Sequence, residues 1–156
     1  MHIATQLGLI ARQVYWWMLR PRTMGVRAVI VDESGRVLLV RHSYGSLWYL
    51  PGGGLEKGEG PTAGLIRELR EEVGIANPTI DGWIGLYHSQ REYKDDYIAV
   101  YAVAFNSSQT ENVRICSAEI EQLAFFSPSE LPADVSPATR RRIGERFGAP
   151  RNGDAW

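Results

Sequence analysis

Three glutamates within five residues, Glu68, Glu71 and Glu72, stand in a segment whose spacing predicts a helix over residues 61–73. With Glu68 at zero on a helical wheel, Glu71 falls about 60° to one side and Glu72 about 40° to the other. All three share one face. Leu69, Val73 and Ile66 fall at roughly 100–160° and make a separate apolar edge, extended by Ala63, that would anchor the helix. Clustered like charges are unfavourable, by a few tenths of a kcal/mol when exposed and by more as water is excluded. Arg67, four residues before Glu71, can orient or offset one of these acids. The oxygen-rich surface that remains suits Mg2+ or Mn2+, hard cations that take carboxylate, carbonyl and water ligands. A solvated charged face is the ordinary alternative. The preceding loop weighs against it: Gly52, Gly53 and Gly54 permit close backbone approach and expose a carbonyl, and Glu59 adds a further acid.

The helix has clear limits. Pro61 fits its first turn, where a missing N–H costs nothing, and Gly74 fits the C-terminal stop. Gly64 weakens it by up to about 1 kcal/mol relative to alanine. Upstream, residues 26–31 and 37–40 read as a hairpin across the turn Asp32-Glu33-Ser34-Gly35. Residues 48–50 form a short strand that Pro51 stops. Downstream, residues 83–89, 97–105 and 120–126 read as strands, 106–112 as a polar connector, and 128–131 as a short helical turn. Ser136-Pro137 caps a last helix running to about Phe147. This order favours an α/β chain of the α+β type, with a mixed sheet and helices against its faces, over a repeated βαβ fold.

Residues 4–19 form an amphipathic pattern, with Leu7, Ile10, Val14, Tyr15 and Met18 near one stripe and Trp16 and Trp17 widening it. The expectation is an N-terminal helical extension over 1–22 that lies on its own core, with homodimer formation as the competing role. A domain over 23–147 follows, then a tail at 148–156 expected to fray unless Trp156 docks.

The chain of 156 residues is 44% apolar and 22% charged, which indicates one ordered domain with a real core. Seventeen basic residues oppose 18 acidic ones, and only Lys57 and Lys94 are lysines. No bulk positive charge supports a stable nucleic-acid complex, so a polyanionic substrate must be held by local groups or by metal. Cys116 stands alone, which excludes an internal disulfide framework and a Cys-rich zinc site. The passage from Leu7 to Met18 is interrupted by Arg12 and Gln13 and falls far short of the roughly 20 apolar residues that cross a bilayer. It also lacks the marks of a signal peptide. The expectation is a soluble cytoplasmic protein with no membrane partner.

Other chemistry is poorly supported. The three glycines have neither dinucleotide nor Walker spacing, and no G-x-S-x-G elbow is present. His42 and His88 lack a metal-ligand pattern. Tyr44, Trp48, Tyr49, Tyr87 and Tyr93 could stack on a base, although packing is the ordinary role, and alternation puts Trp48 and Leu50 opposite Tyr49. Arg27, Arg41 and Arg91 could meet phosphate, but an exposed arginine is usually only solvated. Arg140, Arg141 and Arg142 spread around the last helix and read as a solvated terminus.

The spaced set Gly53-x5-Glu59-x7-Arg67-Glu68-Leu69-x-Glu71-Glu72-x-Gly74-Ile75 meets every fixed position of the 23-residue signature G-x5-E-x7-R-E-U-x-E-E-x-G-U, where U is bulky aliphatic. It resembles a complete Nudix box, and the likeness spans roughly residues 24–147. The resemblance implies a Nudix fold, a mixed sheet sandwiched between helices, and metal-dependent hydrolysis of a small-molecule diphosphate. It implies Glu71 and Glu72 as metal ligands and Glu68 as a further ligand or the group that prepares water. Arg67 would brace these acids, and Glu59 would support loop and helix, directly or through water on the metal. The Gly52 carbonyl is implied as a ligand, with an acid from beyond the box: Glu119 first, Glu121 second. Bound Mg2+ or Mn2+ would neutralise phosphoryl oxygens and lower the pKa of water. The base could be Glu68, Glu72 or an acid outside the motif. A nucleotide or nucleoside diphosphate derivative is the expected substrate. A nucleotide sugar, a dinucleotide polyphosphate and a non-nucleotide diphosphate stay open. A catalytically weak binding or regulatory domain is the remaining alternative, disfavoured by the intact acids.

Overall fold

The computed structural model describes residues 22–91, 94–105 and 113–156. Among them, the elements follow in the order β1 (Arg22–Val31), β2 (Val37–His42), β3 (Trp48–Tyr49), α1 (Pro61–Val73), β4 (Thr79–Arg91), β5 (Lys94–Ala104), β6 (Ile120–Phe126) and α2 (Pro137–Arg146). The expected helix at 4–19, and with it the question of dimerisation, lies outside the described residues, as does the connector at 106–112.

β1 runs parallel to β5, while β2 runs antiparallel to β1, β3 and β6, and β4 antiparallel to β5. The sheet is therefore mixed. Strand alternation sends Val26, Ala28 and Ile30 of β1, with Leu38 and Val40 of β2, against Leu65, Leu69 and Val73 of α1. Val29, Val37, Leu39 and Val100 point the other way, toward Tyr87 and Ile143 of α2. Leu65 and Leu69 are fully buried, each stabilising the docking of α1 by about 2 kcal/mol. α1 ends at Gly74, whose φ of 79° is left-handed and whose amide donates to Arg70 O. α2 starts at Ser136, whose Oγ accepts from Thr139 N at 3.2 Å.

The hairpin is only half formed. β1 and β2 are joined by the expected turn, but their register holds only Val31↔Val37. β2 instead pairs along its length with β6, from Val37↔Phe126 to His42↔Ile120. Loop residues take the edge of β1 that this leaves: Val26 N donates to Gly53 O at 2.9 Å, Ala28 N to Pro51 O at 3.0 Å, and Leu55 N to Met24 O at 2.8 Å. Pro51 cannot donate, yet its carbonyl can accept, so it serves a strand edge without belonging to a ladder. Gly52 turns the loop at φ 132°, where an added Cβ would lie 2.2 Å from Val26 O. The glycine loop is thereby bolted to the sheet.

The tail docks, the alternative that Trp156 offered. His88 N donates to Asp154 O at 2.7 Å and Trp156 N to His88 O at 2.9 Å, so the last residues add to β4. An edge strand leaves backbone groups unpaired, and this segment satisfies part of that edge. Of the arginine triplet, Arg140 and Arg141 are exposed as expected, and only Arg142 departs from a solvated terminus. Arg140 donates to Pro132 O and Arg141 to Trp156 O, while Arg142 is 1% exposed over the Tyr87 ring. Residues 128–131 form a turn closed by Glu130 N to Ser127 O rather than a piece of helix. No helix among the described residues is long and apolar enough to cross a membrane.

Candidate active site

Arg67 is the hub that joins helix to loop. Its Nε donates to Glu59 Oε1 and its NH2 to Glu59 Oε2, both at 2.8 Å, a two-pronged pair that matches the planar guanidinium. NH1 reaches Glu68 Oε1 at 2.8 Å and Glu71 Oε2 at 3.2 Å, and NH2 also reaches Gly54 O at 3.0 Å. The Glu56 amide donates to Glu59 Oε2 as well. These bonds hold the Glu59 carboxyl at about 2, chiefly through the Arg67 hydrogen bonds, and raise the Arg67 pKa in turn. Gly64 makes room for this brace, since a Cβ there would meet Leu55 Cδ2 at 2.2 Å and Glu59 Oε2 at 3.0 Å.

Glu72 is the buried member of the set, 7% exposed. The buried arc of α1 explains why. Leu65, at about 60° on the wheel, is fully buried with Leu69 and Val73, whereas Ile66 is half-buried and Ala63 exposed. The apolar edge thus sits closer to the acids than the sequence pattern placed it, and Glu72 falls inside its border. Burial pushes the Glu72 carboxyl up to about 7. The Glu68 and Glu119 charges push the same way, against the Gly52 amide and Arg27. Gly52 N donates to Glu72 Oε2 at 2.8 Å. Glu68 presses on the next residue of the loop, its carboxyl carbon 2.5 Å from where a Gly53 Cβ would stand.

The carbonyls of Pro51, Gly53 and Gly54 accept hydrogen bonds from Ala28 N, Val26 N and Arg67. That of Gly52 has no such donor among the described residues, which leaves it available. Among these residues no three acidic, histidine or cysteine groups form a ready metal cage. What the site offers is an oxygen donor set of the kind hard cations take: a free carbonyl, the buried Glu72, and Glu68 and Glu71 with one oxygen each outside the Arg67 bonds. The residues fit a divalent ion, with Glu59 committed to the brace.

A model of the NUDIX domain matches residues 21–147. The chain belongs to the NUDIX family. A MutT-like protein of Streptomyces ambofaciens is 32% identical over 109 residues, which cover 70% of this chain and 66% of that one. The MutT protein structure from Methanosarcina mazei Go1 matches with a TM-score of 0.67 at 28% identity, covering 82% of this chain and 94% of the other. An Ap4A hydrolase of C. elegans, at 19% identity and a TM-score of 0.70 over 80% and 95% of the two chains, shares the fold. This NUDIX protein is a hydrolase of the pyrophosphohydrolase type, acting on nucleotide-related diphosphates.

Around the NUDIX box, Glu119 is exposed but close enough for its charge to act on Glu72, His42 and Tyr44. Glu121 is exposed on β6. His42 is 8% exposed, stacked on Tyr44 at 5.1 Å, with its pKa lowered by burial and by Arg27. Arg27 therefore belongs to the site's surroundings. Arg41 does not join it, being paired with Asp134 and stacked over Trp48 at 4.7 Å. His88 lies against Asp95 and Tyr97, and Tyr87 is buried in the opposite core cluster. The Arg91 side chain and Tyr93 fall outside the described residues. Arg27 had a legible signal: it is the one charge in the apolar run of residues 26–31.

Proposed function

We propose that the protein hydrolyses a diphosphate linkage in a nucleoside diphosphate derivative, with Mg2+ or Mn2+ held by Glu68, Glu71, Glu72 and the Gly52 carbonyl and Glu119 adding negative charge nearby. One observation carries this reading: the sealed Glu72 carboxyl has a single amide donor and two acidic neighbours, beside an unclaimed carbonyl. When bound, the divalent ion neutralises phosphoryl oxygens and makes water a better nucleophile. Glu59 and Arg67 tie the loop to α1, which supports a reading in which the Gly52 carbonyl acts with Glu68 and Glu72 on one ion. An acid beside the ion takes the proton from attacking water. Arg27 supplies positive charge against the diphosphate.

The test is a panel of diphosphate compounds with Mg2+, with Mn2+ and with EDTA, both products identified. Metal-dependent release of a phosphate or monophosphate from nucleoside diphosphate derivatives is expected. Absence of turnover across the panel in a protein that binds the same compounds would leave a binding domain instead.

A further inference from the structure

α1 covers only part of the sheet face it packs against. Val26, Ala28 and Ile30 of β1 are sealed with Leu65, Leu69 and Val73. Two strands away the same face is open among the described residues. Trp83 of β4 is 55% exposed and Leu86 39%, and Tyr97 and Tyr101 of β5 are half-buried. The registers set these four side by side, with Trp83 opposite Tyr101, Leu86 opposite Ala99 and Tyr97 one row further. Trp83 meets the Tyr101 ring edge-on at 5.1 Å. A grouped apolar patch of this kind marks a docking surface.

α1 supplies a wall for it. Ile66 and Ala63, at about 160° and 220° on the wheel, lie on the flank away from the three acids. Ile66 is half-buried and Ala63 exposed. The acids face the glycine loop, which takes the β2 side of β1, so the opposite flank looks over β5 and β4.

The chain that precedes β1 matches this trough in entry point, length and pattern. Residues 1–21 lie outside the described residues, and β1 opens at Arg22, in the end row that Arg22 shares with Asp95. From Asp95 to Val103 the face runs for about 26 Å, and a helix over 4–19 measures about 24 Å. Its apolar stripe, Leu7, Ile10, Val14 and Met18, advances in steps of three or four residues, about 6 Å for each four. Alternate residues of a strand repeat at about 6.6 Å, so each step of the stripe meets a new row of the sheet. A helix that ends at Pro21 and returns antiparallel to β1 brings Val14 to Tyr97, Ile10 to Leu86 and Leu7 to Trp83. The short tether gives the chain's own face the advantage over that of a second copy.

We propose that residues 4–19 form a helix docked on the β4–β5 face of the same chain, along the flank of α1 opposite its acids. The helix that carries the acids is then held on both flanks, by the glycine loop on one and by the N-terminal segment on the other.

The experiment uses the full chain with the exposed Cys116 replaced by serine. Ile10→Cys is combined with Leu86→Cys or, as a control, with Phe147→Cys beyond α2 on the other face. Mild oxidation should close a disulfide in the first pair at least tenfold faster than in the control, within one chain by mass. A disulfide between two chains shows that the face receives a second copy, and overturns the proposal. Equal closure of the two pairs, or closure of neither, also overturns it. Limited trypsin digestion gives a second measurement, since docking shields Arg12. Trp83→Glu should speed cleavage after Arg12 about tenfold and Trp83→Phe much less. Cleavage as fast in the parent as in Trp83→Glu overturns the proposal and leaves the face to another partner.

Discussion

Glu72 on α1 and Arg142 on α2 are both ionisable side chains sealed from solvent, one on each face of the sheet. Their surroundings are unlike. Arg142 has Glu145 at 2.9 Å, Ala155 O at 3.1 Å and the Tyr87 ring 3.6 Å below it. Burial lowers its pKa, while Tyr87 and Glu145 oppose that shift. Glu72 has one amide donor, and its carboxyl neighbours raise its pKa further. The α2 side pairs its buried charge with a carboxylate within the chain, although Arg142 Nε has no hydrogen-bond partner among the described residues. The α1 side keeps a negative surplus that the fold leaves for something else to resolve. A charge that the protein neutralises itself is architecture, whereas one left open is where a ligand belongs.

The strongest way to break this contrast is Glu72→Gln. The amide keeps the shape and can still accept from Gly52 N, so the melting temperature should hold or rise. Metal-dependent turnover should fall about a hundredfold or more. Comparable activity in variant and parent, measured with a melting curve, would remove Glu72 from the site. Arg142→Ala probes the other pole. It strands Glu145 beneath the tail, and chemical denaturation should show a loss of about 3 kcal/mol.

A smaller effect sharpens the link between loop and helix. The Cβ of Gly53→Ala would land on the Glu68 carboxylate, the mobile end of a side chain, so the fold should persist while Glu68 is displaced. Turnover should drop by about tenfold, with little change in melting temperature. The mildest test is alkaline. Burial, and next the hydrogen bond to Glu145, push the Tyr87 phenol up to about 12 from an ordinary 10. The neutral phenol is thus favoured in the folded state, and its contribution to stability is complete below pH 10 and lost as pH rises through 12. Denaturation from pH 9 to 12 should therefore show a decline in the parent that is reduced in Tyr87→Phe. Parallel curves would mean that Tyr87 takes no part.

The limits of α1 were legible because they are local: Pro61 and Gly74 act through their own backbone geometry. The ends of β6 and the Ser136 cap were readable for the same reason. The partner of β2 was not. A tight turn favours a hairpin, but nothing near residues 37–42 says that β6 will run beside them, or that Pro51 and Gly53 will take the edge of β1. Where the tail would dock was hidden for a similar reason. Residues 148–156 are polar and short, and what orders them is the open edge of β4 and the buried Arg142, both distant in sequence.

By itself, the amino-acid order determined which acids are grouped, because a helix converts the spacing of Glu68, Glu71 and Glu72 into a shared face whatever surrounds it. It also determined the glycine turn, since Gly52 at φ 132° excludes side chains by sterics alone. Tertiary structure decided which acid is sealed, which is exposed and which is spent on a brace. Burial and charge–charge energies depend on neighbours brought together across the chain, and no local pattern records them. Leu65 and the glycine loop make Glu72 an uncommon carboxyl, Arg67 commits Glu59, and the last tryptophan becomes the wall of a cavity that begins at residue 23.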